Sequence, residues 1–318
     1  MILDIVLVGV GLGLLAKAAG QFVLGAARIA LIMRISAVVV GAVIVGFGTS
    51  APELLVSAVA AWQGDAEVGI GNVVGSNVAN LTLILGAAAI ILPIGIAGST
   101  LRKETPLMVV SVVLFAIVVQ GGVSPLEAGV LLVALAASVF IIMRVGSTRS
   151  DPELEREVAE FADRAHTPRV RVEAIRTVGG LVGTIVGAQM LVIGAVSIAD
   201  SAGLSGGFVG FTLVAIGTSL PELITSVAAA RAGEPDLIVG NLLGSNLFNS
   251  LAVGAVLVIA GPAELDAPRL LSIGVVVMIG VALGAWLLML TRRRVMRWEG
   301  LVLVVVYGVS IVLIGPAG

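Results

Sequence analysis

Long uninterrupted apolar runs dominate this chain of 318 residues and restrict the folds open to it. Runs of roughly 17–25 apolar residues recur along its length, and that is the length of helix needed to cross the hydrocarbon core of a bilayer. Hydrophobic residues make up 58% of the chain and charged residues only 12%. A soluble domain would carry about twice that charged share. The chain is therefore predicted to be an all-α, polytopic membrane protein.

Ten transmembrane helices are predicted from the apolar runs. The first run begins ILDIVLVGVGLGLL without a basic segment or a cleavage site, so it reads as a membrane span and not as a removable signal peptide. The predicted spans are 3–22, 35–61, 69–92, 106–121, 125–143, 175–199, 206–230, 236–261, 270–290 and 299–316.

Positive charge is concentrated on one side of the predicted membrane. If the N-terminus is outside, Arg269 is the one Lys or Arg in an outside loop, and Lys17 can extend from the first span to the inner side. Inside loops of membrane proteins carry an excess of Lys and Arg. We therefore expect a multi-pass protein of the cell (plasma) membrane with both termini extracellular.

The segment 144–174 is the only long polar stretch in the sequence. It contains both acidic and basic residues after an Asp-Pro start, which is typical of a short solvated helix. We predict that it is a cytoplasmic linker, and that the chain's single histidine, His166, is an exposed residue within it.

The sequences on either side of this linker match each other at a constant offset of 169 residues. Over positions 48–80 the ungapped comparison with 217–249 gives 16 identities in 33 residues, including Thr, Ser, Pro, Glu and Asn. Each half, 1–143 and 175–318, holds five predicted spans, and an odd number reverses the direction in which the second half enters the membrane. The prediction is therefore two inverted-topology five-helix repeats, an arrangement common in secondary transporters.

The first repeated motif, GTSAPE, places a carboxylate and a proline inside a span. Pro52 has no N–H, so the carbonyl of Gly48 is expected to lose its helical partner beside Glu53. An alternative is that Ser50 and Glu53 form a capping box that starts a helix. A helix that starts in mid-span is still a broken helix, tolerated only inside protein or beside a cavity. Both alternatives therefore predict a site here, since an ionisable residue in a span is a functional candidate.

The second motif, GNVVGSNVAN, places Asn72, Ser76 and Asn80 at i, i+4 and i+8, which forms one polar stripe on an apolar helix. Asn77 lies beside the stripe, where its amide could bond the backbone broken at the proline motif. The amide oxygens of Asn80 and of its counterpart Asn249 are candidate cation ligands. Two glycines in the motif, Gly71 and Gly75, favour close helix packing.

The charge of the predicted site limits which ligands it can bind. Glu53 and Glu222 come to one midplane site with no embedded Lys or Arg, so the empty site would bring two carboxylates together and at least one would take up a proton. One divalent cation, or two or more monovalent ones, would neutralise the pair. Hydroxyl, carbonyl and carboxylate oxygens suit Ca²⁺ and Na⁺, whereas Mg²⁺ demands strict octahedral geometry. The absence of Cys and the single His exclude thiolate and multi-histidine metal sites.

The two motif pairs, GTSAPE with GNVVGSN and GTSLPE with GNLLGSN, resemble the paired repeats of the cation/Ca²⁺ exchanger superfamily, specifically its prokaryotic Na⁺/Ca²⁺ exchanger branch. The H⁺-coupled members typically carry GNxxE in place of GTSxPE, so the resemblance favours Na⁺ coupling. It implies an antiporter that exchanges Na⁺ for Ca²⁺ by alternating access, with Ca²⁺, Na⁺ and membrane lipid as partners.

The resemblance also implies a ligand set. Glu53 and Glu222 would be the central ligands of both ions, and Asn80 and Asn249 would lie between them. Some members have Asp at the position of Asn249, and the Asn in both repeats argues against K⁺ co-transport. The remaining ligands implied are Thr49 and Thr218 near Ca²⁺, and Ser50, Ser76, Ser219 and Ser245 with the carbonyls of Gly46 and Ala215 near Na⁺.

Alternating access in this family implies that spans one and six slide across the other eight. Glycines in these two spans would permit close sliding contact, although packing alone also predicts them. They are Gly9, Gly11, Gly13, Gly20, Gly179, Gly180, Gly183 and Gly187.

Other functions remain open from the residues. A cation channel would also use oxygen ligands at the midplane, and carboxylates could exchange Ca²⁺ for H⁺ in place of Na⁺. An intramembrane enzyme is not expected, because the spans hold no HExxH motif, Cys, His or Asp pair. No cofactor, no nucleic-acid partner and no obligatory protein partner are predicted.

Overall fold

The computed structural model describes residues 2–33, 48–96, 98–121, 124–146, 170–233, 235–260 and 267–316, which are almost entirely helical. Two short strands, β1 (Ile94–Gly95) and β2 (Arg294–Val295), pair antiparallel and are a small departure from the all-α prediction. The helices are α1 (Ile2–Ile32), α2 (Ala51–Gln63), α3 (Ala66–Ile91), α4 (Gly98–Arg102), α5 (Glu104–Gly121), α6 (Pro125–Gly146), α7 (Val170–Ala202), α8 (Gly206–Thr218), α9 (Leu220–Ala232), α10 (Pro235–Ala260), α11 (Leu270–Arg292) and α12 (Arg297–Ile314).

Within the described ranges, eight helices are long and apolar enough to cross a membrane. The bent pair α8 and α9, which meet at an angle of 46° around Ser219, makes a ninth span. Nine of the ten predicted spans are therefore matched by helices. The remaining prediction, 35–61, falls partly on residues 34–47, which lie outside the described residues, and its second half forms α2. The predicted linker likewise lies mostly outside them, including His166.

The two longest helices, α1 and α7, run antiparallel against each other with their backbones close together. A Cβ added to Gly11 would lie 2.9 Å from the carbonyl oxygen of Gly187, and one added to Gly187 would lie 2.8 Å from the backbone nitrogen of Leu15. Gly180 and Gly183 make similar close contacts. These four glycines bring α1 and α7 against each other, which leaves their role in sliding across the other eight spans a prediction. The other four predicted glycines make no close contact, because a Cβ there would meet nothing within 4 Å among the described residues: Gly9, Gly13, Gly20 and Gly179.

The centre of the protein is formed by α3 and α10. In each of these helices 78% of the most apolar window is buried, against 28% for α1 and 17% for α6. The packing prediction for the motif glycines is confirmed, because α8 lies so close to α3 that a Cβ on Gly71 or Gly75 would clash with its backbone. The second motif of the first repeat is therefore enclosed by protein, whereas that of the second repeat begins at an exposed Gly240 and a partly buried Asn241.

Both central helices widen by one residue at the same repeat position. The turns Asn80–Ile84 in α3 and Asn249–Val253 in α10 are π-helical, and the two segments differ by the repeat offset of 169 residues. Such π turns are rare and occur frequently at functional sites. Apolar periodicity did not predict them, because one extra residue in a wholly buried helix leaves no sign in the hydrophobic pattern.

Candidate functional site

The proline motifs begin α2 and α9 in the middle of the protein. Ser50 and Ser219 are the N-cap residues, but neither side chain caps its own helix. Instead each hydroxyl donates to the glutamate of the opposite repeat: Ser50 Oγ to Glu222 Oε1 at 3.3 Å, and Ser219 Oγ to Glu53 Oε1 at 3.0 Å. The alternative is correct that a helix starts here, with Ser50 as its N-cap, but wrong about the capping box. The crossed pair of hydrogen bonds brings both motifs into one site.

The carbonyl expected to be free beside Pro52 is not free. The Gly48 oxygen accepts a hydrogen bond from the Ala51 N–H at 3.2 Å, so the chain tightens by one residue and the i+3 donor replaces the missing i+4 donor. In the second repeat the Ala215 carbonyl accepts from the Ser219 N–H at 3.0 Å, and Thr218 Oγ1 lies 3.3 Å from the same carbonyl oxygen. The predicted ligand Gly46 lies outside the described residues.

The threonines of the two motifs also form hydrogen bonds to the opposite repeat. Thr218 Oγ1 donates to Asn72 Oδ1 at 3.0 Å, and Thr49 Oγ1 donates to Asn241 Oδ1 at 3.3 Å. Each asparagine therefore acts as the acceptor for a threonine that is on the other half of the site. Sequence reasoning gave these two asparagines no such role, although their identical repeat positions were the signal for it.

Asn72 also holds the backbone at the first proline motif. Its amide nitrogen lies 3.2 Å from the carbonyl oxygen of Glu53 and 3.0 Å from Ser57 Oγ. The prediction gave this backbone contact to Asn77, whose amide instead lies 3.0 Å from Ser250 Oγ. The prediction was wrong because Asn77 and Asn72, five residues apart on one helix, point toward different neighbours.

The two serines of the second motif differ. Ser245 Oγ lies 3.4 Å from Glu222 Oε1, whereas Ser76 Oγ lies 3.5 Å from Asn72 Oδ1 and makes no hydrogen bond to a glutamate. Glu222 Oε1 therefore accepts from two hydroxyls, on Ser50 and Ser245, while Glu53 Oε1 accepts from Ser219.

Four side-chain oxygens at this site are buried without a hydrogen-bond partner among the described residues: Glu53 Oε2, Glu222 Oε2, Asn80 Oδ1 and Asn249 Oδ1. All four residues have no solvent exposure. In the described part of the chain neither glutamate forms an ion pair with a basic residue. Buried oxygen acceptors left without donors are costly unless a cation or proton satisfies them. The arrangement is therefore suited to hold a hard cation.

Eleven of the twelve residues predicted for the site are described. The crossed hydrogen bonds join most of them into one network, and Asn80 and Asn249 begin matching π turns next to it. The eleven are Thr49, Ser50, Glu53, Ser76, Asn80, Ala215, Thr218, Ser219, Glu222, Ser245 and Asn249.

Comparison with known proteins agrees with this architecture. The family described as "Sodium/calcium exchanger protein" matches residues 3–144 and 173–315. The putative antiporter CaxA of Alkalimonas amylolytica is 37% identical over 96% of this chain and 97% of its own length. The sodium/calcium exchanger MaX1 of Methanosarcina acetivorans is 30% identical over 96% of both chains.

A solved structure extends the likeness to the whole fold. The sodium–calcium exchanger NCX_Mj, soaked with 10 mM Na⁺ and 10 mM Sr²⁺, superposes with a TM-score of 0.66 at 31% identity over 98% of both chains. The two segments of the family match include both copies of the GTSxPE and GNxxGSN motifs. This chain is therefore a membrane transporter, not an enzyme, and belongs to the sodium/calcium exchanger family of cation antiporters.

Proposed function

We propose that the protein exchanges Na⁺ for Ca²⁺ across the membrane at the site between α2, α3, α9 and α10. The observation that carries this proposal is the pair of buried glutamates, each with one carboxylate oxygen free of any hydrogen bond among the described residues. Two buried negative charges are neutralised equally by one Ca²⁺ or by two or more Na⁺. The two kinds of ion would therefore compete for one site, which is what an exchanger needs.

The proposed ligands keep the division that the motifs suggested. Glu53 and Glu222 bind both ions, with Thr49 and Thr218 near Ca²⁺ and Asn80 and Asn249 between the glutamates. The four serines, Ser50, Ser76, Ser219 and Ser245, complete the Na⁺ positions, together with Gly46. The Ala215 carbonyl already accepts from the Ser219 N–H, and its second lone pair is open to Na⁺ while the Thr218 hydroxyl donates to Asn72 Oδ1.

Sodium is the proposed coupling ion because both GTSxPE motifs are intact. The name of the relative MaX1 and the Na⁺ and Sr²⁺ soaked into NCX_Mj support the same choice. The alternative is H⁺ coupling, because two carboxylates without basic partners can also exchange Ca²⁺ for protons. A cation channel is the third possibility.

The moving part of the proposed exchange is the pair α1 and α7. These helices contact each other through glycines at backbone distance. Against the rest of the protein they present apolar side chains, such as Leu15 and Leu191, which pack with Val56, Val209 and Val214. Apolar contacts of this kind are non-directional, so the pair can slide as one unit while the site helices stay in place.

The two halves, 1–143 and 175–318, are proposed as inverted repeats joined by a cytoplasmic linker over 144–174. The excess of Lys and Arg on one predicted side favours a plasma-membrane protein with both termini outside. The bend of α8 and α9 at the site supports the midplane position expected for a broken helix.

Uptake of ⁴⁵Ca²⁺ into proteoliposomes tests the function. Vesicles are loaded with Na⁺, with K⁺ or with acid buffer, and each outward gradient is applied alone. Uptake that saturates and follows only the Na⁺ gradient supports the proposal. Uptake driven only by the pH gradient would establish H⁺ coupling, and Ca²⁺ conductance without any countergradient would establish a channel.

A further inference from the structure

We infer that Asn246 is a positioning residue that holds Asn80 with its side-chain oxygen available to the bound cation. The inference rests on the proposed function, because it assumes a cation at this site. Asn246 is fully buried and lies outside the predicted ligand set. Its repeat counterpart is Asn77, so the chain itself offers a matched comparison.

The orientation of Asn80 follows from a fixed order of donors and acceptors. The Asn246 amide nitrogen lies 3.2 Å from the main-chain carbonyl oxygen of Asn77, and a carbonyl can only accept. This contact assigns the Asn246 NH₂ group, so its Oδ1 faces Asn80. That oxygen can only accept as well, so Asn80 must present its amide nitrogen, at 2.8 Å. The Asn80 oxygen is then left without a partner among the described residues, although it is fully buried.

The orientation matters because the two ends of an amide act oppositely on a cation. The oxygen is a ligand for Na⁺ and Ca²⁺, whereas the NH₂ group carries positive partial charge and repels them. Without Asn246, Asn80 could rotate by half a turn about its last bond and present either end. Rotation of Asn80 would lower the affinity for the cation, because its NH₂ group would sometimes face the ion. Asn246 prevents this by fixing the amide before the ion binds.

The second half of the site lacks this restraint. The Asn77 amide lies 3.0 Å from Ser250 Oγ and 3.5 Å from Met278 Sδ, and not near Asn249. Neither polar atom of the Asn249 side chain has a hydrogen-bond partner among the described residues. The cause lies in the sequence, because Ser250 stands where the first repeat has Leu81 and captures the Asn77 amide. One amide of the site is therefore oriented in advance and the other is not.

The test is a double-mutant cycle on Ca²⁺ affinity, measured as half-saturating Ca²⁺ for Na⁺-driven uptake and as equilibrium ⁴⁵Ca²⁺ binding to the purified protein. Asn246→Leu removes the amide and keeps the volume, and Asn77→Leu is the matched control. Removing a residue that orients a metal ligand typically weakens the metal by about 10–100-fold. We expect Asn246→Leu to raise half-saturation roughly 10-fold or more, with the maximal rate changed less, and Asn77→Leu to remain closer to wild type.

The cycle separates positioning from a structural role. If Asn246 acts through Asn80, Asn246→Leu adds no further loss in an Asn80→Ala background. The same fold-loss in both backgrounds, or wild-type affinity in Asn246→Leu, would overturn the inference. Asn246→Ala removes the same amide without introducing the two methyl groups of leucine, and it replaces Asn246→Leu in the test if that variant does not fold. Wild-type protein that binds no Ca²⁺ overturns the proposed function as well, whereas wild-type binding with an unchanged Asn246 variant overturns this inference alone.

Discussion

The α2–α3 and α9–α10 hairpins carry the same motifs, yet the first is held by more hydrogen bonds than the second. Asn72 is fully buried and bonds the Glu53 backbone, Ser57 and Thr218. Its counterpart Asn241 is only partly buried and bonds Thr225 and Thr49. The same asymmetry recurs deeper in the site, where Asn80 is oriented by a neighbour and Asn249 is not.

The difference teaches that a few polar neighbours break the symmetry of a repeat. Thr225 stands where the first repeat has Val56, and it takes the Asn241 amide, so that Ser226 Oγ has no partner among the described residues. Ser250 in place of Leu81 does the same to Asn77. An amide N–H bonds the nearest acceptor, so one added hydroxyl changes the hydrogen-bond partner of an asparagine. The predictions that follow test this comparison, from the largest expected effect to the smallest.

Glu53→Gln and Glu222→Gln test whether the two halves are equally necessary. Each change keeps the side-chain size and removes one of the two charges that neutralise the cation. We expect Na⁺-driven ⁴⁵Ca²⁺ uptake below about 1% of wild type in both, since losing a charged ligand exceeds the 10–100-fold typical of its supporting residues. Glu299→Gln is the control, because that buried carboxylate accepts from the Met296 N–H and lies outside the site. Near-wild-type flux in either site variant would disprove the assignment.

Asn72→Ala and Asn241→Ala measure how unequally the two asparagines stabilise their hairpins. Asn72→Ala removes four hydrogen bonds from a buried site, the weakest being that from Ser76 at 3.5 Å, and unsatisfied buried polar groups cost about 1–3 kcal/mol each. We expect a loss of unfolding free energy of about 2–3 kcal/mol for Asn72→Ala and about 1 kcal/mol for Asn241→Ala, where solvent replaces lost contacts. Thermal unfolding of the detergent-purified proteins measures both. Equal losses of unfolding free energy would mean that the two asparagines stabilise their hairpins equally.

Arg28→Met and Ser197→Ala compare the two ends of the α1–α7 pair. Arg28 Nη1 lies 3.2 Å from Glu173 Oε1 and both side chains are buried. The repeat counterparts Ser197 and Asp4 make a hydrogen bond at the other end. Removing one partner of a buried ion pair costs about 3–5 kcal/mol of unfolding free energy. The cost is smaller here, because Arg176 lies 2.8 Å from Glu173 and still neutralises it.

We therefore expect Arg28→Met to lose about 2 kcal/mol of unfolding free energy, and Ser197→Ala to lose under about 1 kcal/mol. Differential scanning fluorimetry on purified protein provides the comparison. A larger loss for Ser197→Ala would contradict the contrast between the two ends.

Asp65→Asn gives the smallest expected effect. Asp65 lies in the turn between α2 and α3, where partial burial and then repulsion from Asp200 raise the pKa of its carboxyl. A raised pKa means that the ionised form is disfavoured in the folded state, so the folded protein binds the proton more tightly than the unfolded chain. Asparagine should therefore raise the melting temperature slightly at neutral pH, and the gain should disappear as the pH falls below the pKa of Asp65. A gain that persists at acid pH would contradict this cause.

Much of the architecture could be predicted from residues alone because membrane constraints are strict. Apolar runs of bilayer length gave nine spans that the described helices match, and the exact repetition of GTSxPE and GNxxGSN gave the two halves of one site. The hydrogen bonds of the backbone were harder to predict from the sequence. The Gly48 carbonyl was expected to be free, but a tighter turn satisfies it, since a neighbouring N–H one residue nearer costs less than an unpaired oxygen.

The sequence by itself determined that two carboxylates, with hydroxyl and amide neighbours, recur at matching repeat positions within apolar runs, because those positions follow from residue order alone. The tertiary structure decided which groups bond each other. Ser50 reaches Glu222 and not its own helix, and Asn246 reaches Asn80 whereas Asn77 turns to Ser250. Hydrogen bonds form over about 3 Å and depend on which neighbour is nearest. That distance is set by helices packed from opposite halves of the chain, which no local pattern specifies.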